Sequence, residues 1–227
     1  MSSGNFSMYN NVELYIIDKK EHRFKKRIEK HNKASATLIQ GVLRFLRGEF
    51  NPSNVSEGLI NHNSEGAKIY IPSYISFGSG GITDGHYDEV LNASYYDTML
   101  QDELISDMYG RIPISKSELG SSTPGDSGQL TLTTYVPMGY YYNIRNYNGM
   151  ALLTECGLFS SDYDGATDTL GNSNAGKMLA RVTFDEGEVE QGPDDVILVK
   201  WHIGAVSVDD DIYYKNKQTT EGNSWIL

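Results

Sequence analysis

A few short stretches of this sequence carry residue types that can do chemistry. Gly125-Asp126-Ser127-Gly128 has the composition of a serine-nucleophile loop, in which backbone N–H groups form an oxyanion hole beside a Ser activated by His and Asp. Gln129 and Leu130 follow it, Ser121-Ser122-Thr123-Pro124 precede it, and no His has a matching Ala-Ala-His-Cys setting, so it reads as a flexible turn. Phe77-Gly78-Ser79-Gly80-Gly81 follows a strand-like run, as a phosphate-cradling turn does. It lacks the Gly-x-Gly-x-x-Gly spacing that opens a helix, and no Gly-Lys-Ser/Thr occurs, so a tight strand-to-loop bend is the reading. Asp162-Tyr163-Asp164-Gly165 and Asp209-Asp210-Asp211 offer oxygen ligands for Ca²⁺ without completing an EF-hand. The five His are scattered, and the single Cys156 allows neither a disulfide nor a Cys-based zinc cage. No nucleophile, base and orienting group come together, so no catalytic residue, cofactor or metal is expected.

One acid stands out for a physical reason. Glu155 lies between Thr154 and Cys156 and is flanked by Leu153 and Leu158, in a run that reads as buried strand. An unpaired carboxylate there is costly. Arg181, on the next apolar run, is its natural partner, with backbone amides as further donors; the reading is structural and not catalytic.

The elements that position these residues come from the last third of the chain. Leu152 to Ser160, Gly176 to Phe184 and Val196 to Ile203 are short runs rich in β-branched, aromatic or aliphatic residues, separated by Gly, Asp, Asn and Ser. In the second, Met178, Ala180, Val182 and Phe184 share one parity; in the third, Ile197, Val199, Trp201 and Ile203 make an apolar face. These three are expected to form one sheet with a common buried face. Leu130 to Val136 alternates as a strand, as does Val12 to Ile17, and Ala67 to Phe77 reads as a strand interrupted at Pro72. Met108 to Ile114 reads as a further short strand, Ser115 to Gly128 as a polar loop, and Tyr140 to Gly149 as ending in a turn. Asp18 to Lys33 is dense in charge, with Phe24 and Ile28 spaced i, i+4 as on a helix with a thin apolar edge. Ser35 as N-cap, the stripe Leu38, Ile39, Val42, Leu43 and Leu46, then Gly48 and Pro52, predict an amphipathic helix over 35–48.

Charge is unevenly spread. Residues 1–47 hold ten of the nineteen Lys and Arg but only four of the thirty acids, a balance of +6; the remainder carries nine bases and twenty-six acids, a balance of −17. The chain divides on this basis into a basic arm, 1–34, and a β-rich domain, 35–227, that includes the helix. An acidic body repels phosphates beside the arm, which favours a protein partner over nucleic acid. No apolar run approaches the ~20 residues of a membrane span. The first seven residues lack the charged-then-apolar layout of a secretion signal, so assembly in a cytoplasm is expected.

Taken in order, Leu43 to Gly48, Tyr74-Ile75-Ser76-Phe77-Gly78-Ser79-Gly80, Leu130 to Val136, Leu153-Thr154-Glu155-Cys156-Gly157-Leu158-Phe159, Lys177 to Phe184 and Val196 to Ile203 resemble structural proteins of bacteriophage tails, near the baseplate and fibre attachment. Those carry an Ile-x-Phe-Gly-x-Gly turn, a Glu-x-Gly-Leu-Phe strand, a Leu-Ala-Arg-x-x-Phe strand and a late Trp-bearing strand. The resemblance spans about residues 35–205 and implies a virion component without catalysis, present in several copies around the tail axis.

The expectation is therefore a mainly β, sandwich-like domain with one N-terminal amphipathic helix and a basic arm. Its role would be to join tail or baseplate proteins as a homo-oligomer, in the virion and, during assembly, in the host cytoplasm. Lys19, Lys20, Arg23, Lys25, Lys26, Arg27, Tyr140, Tyr141 and Tyr142 are the expected interface residues; Glu155, Gly157, Phe159, Arg181 and Trp201 are the expected structural ones. The rival is a receptor- or carbohydrate-binding module stacking sugars on Tyr70, Tyr74, Tyr95, Tyr96 and the Tyr140–Tyr142 run.

Overall fold

Two thirteen-residue strands from opposite ends of the chain pair along their whole length. β1 (Phe6–Asp18) and β14 (Asp195–Ser207) are antiparallel, with Phe6 opposite Ser207 and Asp18 opposite Asp195. Val12, Leu14 and Ile16 of β1 and Ile197, Val199 and Trp201 of β14 are buried, while Glu13, Tyr15, Lys200 and His202 take the opposite parity. β2 (Arg23–His31) pairs with the other side of β1; β9 (Gly128–Val136) and then β8 (Lys116–Leu119) extend the sheet beyond β14, giving the order β2-β1-β14-β9-β8. This computed structural model describes residues 6–31, 33–34, 72–83, 85–87, 91–94, 96–120, 128–160 and 176–207.

A second antiparallel sheet has the order β3-β12-β11-β4-β7. Its strands are β3 (Lys33–Ala34), β12 (Met178–Thr183), β11 (Glu155–Ser160), β4 (Pro72–Gly78) and β7 (Ile112–Pro113). Shorter pairs flank the two sheets: β5 (Ile82–Thr83) with β6 (His86–Tyr87), and β10 (Ala151–Leu153) with β13 (Val189–Gln191). One five-residue helix, α1 (Tyr140–Ile144), follows β9.

The inward side chains of both sheets form a single apolar core, with Leu14, Ile197 and Trp201 from the first and Phe77, Leu158 and Leu179 from the second. The sheets thus face each other across a shared core. Trp201 is fully buried, and its indole N–H donates to Asn10 of β1, so the ring's polar edge is satisfied. Phe77 stacks on Phe184 at 6.3 Å between ring centroids and meets Tyr141 edge-on at 5.3 Å. Truncating any of these rings to Ala costs ~3–5 kcal/mol.

Several sequence expectations change here. The helix expected over Asp18 to Lys33 is not found: Asp18 to His31 make the end of β1, the β1–β2 turn and β2, an edge strand in which Ile28 alone is buried, and Lys33 begins β3. One inward residue among exposed cations leaves no alternation to read, and Lys on a sheet edge discourages pairing with other chains. Residues 6–34, read from charge as an appended arm, are built into both sheets through β1, β2 and β3. The three late runs do not share one sheet: β11 and β12 pair with each other, whereas β14 lies in the facing sheet, because β1 and β9 occupy both of its sides. The polar stretch after Ser115 contains β8, and the Tyr run forms α1. The helix expected over 35–48 lies outside the described residues, as do Asp126, Ser127 and both Asp clusters.

Candidate functional site

Glu155 opens β11 opposite Gly78 of β4 and Thr183 of β12. Its neighbour Cys156 points into the core between the sheets, so Glu155, Gly157 and Phe159 lie on the far face of the second sheet. Arg181 of β12 stands opposite Gly157 and shares that face. The segment 97–111 crosses over it. Leu100 packs with Phe159 and Met178 in a second apolar cluster, and the Arg111 guanidinium lies 3.6 Å from the centre of the Phe159 ring.

Glu155 is fully buried and its carboxylate receives three donors: the Gln101 N–H at 3.0 Å, the Asp102 N–H at 2.8 Å and Arg181 Nε at 2.8 Å. Arg181, 4 % exposed, also donates through Nη1 to Asp97 at 3.0 Å. Asp97 in turn accepts from the Ser94 N–H, which orders the start of the crossing segment. Alongside, Ser79 Oγ donates to Asp102 at 2.7 Å and accepts from Arg145 Nη1 at 2.9 Å, while Arg145 pairs with Asp102 directly. Arg111 closes the far end with a two-pronged pair to Glu103 and a bond to the Gly176 carbonyl. Three arginines thus hold four acids, and the cluster fastens the segment to the sheet.

The glycines make this approach possible. A Cβ on Gly78 would stand 2.4 Å from Glu155 Oε1 and 2.7 Å from the Asp102 carbonyl; one on Gly80 would stand 2.9 Å from Glu155 Oε1. A Cβ on Gly157 would meet the Phe159 ring at 2.6 Å. The bend at Phe77–Gly81 is therefore a seat for the buried carboxylate and the strap above it.

Ser79 Oγ donates to Asp102 and accepts from Arg145, whose guanidinium also pairs with that same carboxylate, so the three form a closed set. Burial, and then the charge of Glu155, push the Cys156 thiol well above its usual range, so it stays protonated and inert. Among the described residues no group of three or more His, Cys, Asp or Glu is placed to hold a metal ion.

The structure brings Glu155, Gly157, Phe159 and Arg181 together in this one cluster and puts Trp201 in the core of the other sheet. It disperses the expected interface residues. Tyr141 is fully buried and accepts from the Phe77 N–H at 3.1 Å, so it is a core residue; three adjacent Tyr carry no period that could have told it from its neighbours. Tyr140 is half-buried and donates to the Gly110 carbonyl, and Tyr142 packs partly against the core. The cations of β2 meet acids of their own chain: Lys25 reaches Asp195 at 2.7 Å, Arg27 reaches Glu13 at 3.0 Å, and Lys26 bonds the Glu188 carbonyl. Hydrogen bonding to Asp195 raises the Lys25 ammonium above its ordinary value against some loss of solvation. Arg23 pairs with Glu21 at the surface, and Lys19 and Lys20 are exposed in the turn. The residues that sequence reasoning missed are the strap's Asp97, Asp102 and Arg111, and Arg145 at the end of α1, which lie in polar stretches without periodicity.

Comparison with protein-family models, with curated proteins and with solved structures finds no match to this chain.

Proposed function

We propose that this chain is a non-catalytic structural component of a bacteriophage virion, in the tail or baseplate region, where copies of it join neighbouring tail proteins. What supports the reading is the convergence of the tail-protein-like motifs. The Ile-x-Phe-Gly-x-Gly bend supplies Gly78 and Gly80, the Glu-x-Gly-Leu-Phe strand supplies Glu155, Gly157 and Phe159, and the Leu-Ala-Arg-x-x-Phe strand supplies Arg181. All three meet in one cluster whose chemistry is fastening. Sequence signatures that serve rigidity rather than turnover suit a protein selected to bear contacts. Within the described residues β8 pairs on one side only and exposes Leu119 at 84 %, which offers an edge to a neighbouring chain, whereas the Lys-rich edge of β2 discourages one.

The test is compositional. Mass spectrometry of purified particles from the host phage should find the chain at a fixed, multi-copy stoichiometry with tail proteins. Its absence from particles, or a monomer in native mass spectrometry with every tail protein supplied, would end the proposal.

A further inference from the structure

The outer face of the first sheet forms an ordered grid. By register, Arg27, Tyr15, Leu198 and Tyr135 lie side by side across β2, β1, β14 and β9. The next row is Glu29, Glu13, Lys200 and Thr133, and the next His31, Asn11, His202 and Thr131. The opposite parity of the same strands fills the core, so these side chains face away from it.

Two properties of the grid stand out. First, its polar groups are held in place before any partner arrives. The Tyr15 hydroxyl donates to Glu13 at 2.6 Å, Arg27 Nη2 bridges Glu13 at 3.0 Å and Glu29 at 3.1 Å, and His202 Nδ1 lies 2.7 Å from Gln129 Nε2 and 3.1 Å from Thr131 Oγ1. Second, aromatic surface is left open at its sides: Phe24, 6.4 Å from Tyr15, is 59 % exposed, and Tyr135 is 58 % exposed. Tyr15 and Tyr135 are two strands apart, about 10 Å at the usual strand spacing. A short linear oligosaccharide spans that distance.

We propose that this face binds a neutral oligosaccharide. Sugar rings offer C–H faces to aromatic planes and hydroxyls that both donate and accept, and the grid supplies rings beside the accessible Arg27 guanidinium and Glu29 carboxylate, with Glu13, 8 % exposed, holding Arg27 in place. Charge selects among occupants. Arg27 and Lys200 balance Glu13 and Glu29, so the face has neither the cationic excess that phosphate or sulfate polymers need nor an acidic excess for a basic peptide. The pre-formed hydrogen bonds reduce the ordering cost of binding. This goes beyond the assembly role, and the ring set differs from the tyrosines singled out in the sequence, of which Tyr141 is core.

The experiment is titration calorimetry of the full chain with maltohexaose, cellohexaose, chitohexaose and mannohexaose, and with a sulfated hexasaccharide as control. At least one neutral sugar should bind saturably and largely independently of salt. Tyr135→Ala and Phe24→Ala, both at exposed positions, should weaken it about three- to tenfold each, while Tyr135→Phe keeps it. Circular dichroism and melting must show the variants folded; should one not fold, the other decides. Binding of none of the neutral sugars, binding of the sulfated sugar alone, affinity unchanged in the folded variants, or a dimer in light scattering that buries Tyr135 would each overturn the proposal. Particle incorporation of Tyr135→Ala, measured separately, should be normal, so loss of sugar binding does not bear on the assembly role.

Discussion

Gly78 stands directly opposite Glu155 in the β4–β11 ladder, so close that a methyl group on it would overlap the carboxylate. Gly78→Ala should therefore force either the Glu155 side chain or the Asp102 backbone to move. The expected loss is about 1–3 kcal/mol, the scale of overpacking, read as a lower urea midpoint at unchanged slope. An unchanged midpoint would mean the seat is looser than described.

Removing one side of the buried pair should cost more. Glu155→Ala leaves Arg181 Nε and two amides without their acceptor, and ~3–5 kcal/mol should be lost. The double variant Glu155→Ala with Arg181→Ala should lose clearly less than the sum of the two singles. Additivity in that cycle would refute a coupled pair. Limited proteolysis should also cut Glu155→Ala between residues 97 and 111 before the rest of the chain is attacked, because the strap has lost its central fastening.

Acid should weaken the first sheet through Glu13 and His202. Burial raises the Glu13 carboxyl, but the Tyr15 hydroxyl and Arg27 outweigh it and hold the group below its ordinary 4.5. The stability this contributes is fully present above that value and lost as pH falls through the lower folded value. Burial likewise lowers His202 below 6.5, only partly offset by the Glu13 charge, so its contribution also disappears as pH falls below 6.5. Stability against pH should flatten below 4.5 in Glu13→Gln and below 6.5 in His202→Asn. Parallel curves for wild type and both variants would show that neither group carries the effect.

Deleting residues 1–34 tests whether the basic stretch is an appendage. It removes β1, β2 and β3 together and uncovers β14 along thirteen residues. The truncated chain should fail to give a cooperative melt and should aggregate. A soluble, folded product would contradict the sheet order. By contrast, Lys19→Glu with Lys20→Glu changes only the exposed turn and should leave the melting temperature within a few degrees.

How much of this was legible in the sequence depended on burial. β1, β9 and β14 could be read because one parity of each faces the core; in β12 the expected face of Met178, Ala180, Val182 and Phe184 is broken, since Leu179 joins Ala180 in the core and Met178 packs with Leu100 and Phe159 on the far face. β2 and β8 could not: β2 buries only Ile28, and every residue of β8 is exposed. Parity also says which face a strand hides but not which strand it pairs with, so β14 was grouped with β11 and β12 although it lies across the core from them. Glu155 and Arg181 could be paired from sequence because a carboxylate inside an apolar run demands a cation. The role of Gly78 and Gly80 could not, since the atoms they make room for belong to Gln101, Asp102 and Glu155, far along the chain.

The full-length pairing of β1 with β14 has a consequence for biosynthesis. Asn10 and Trp201, bonded in the finished core, are separated by 191 positions. The opening strand therefore leaves the ribosome long before its neighbour exists, with Val12, Leu14 and Ile16 uncovered in the meantime. Closure of the first sheet must follow translation of β14, a slow event of high contact order, and until then β1 has only β2 of its two sheet neighbours to pair with.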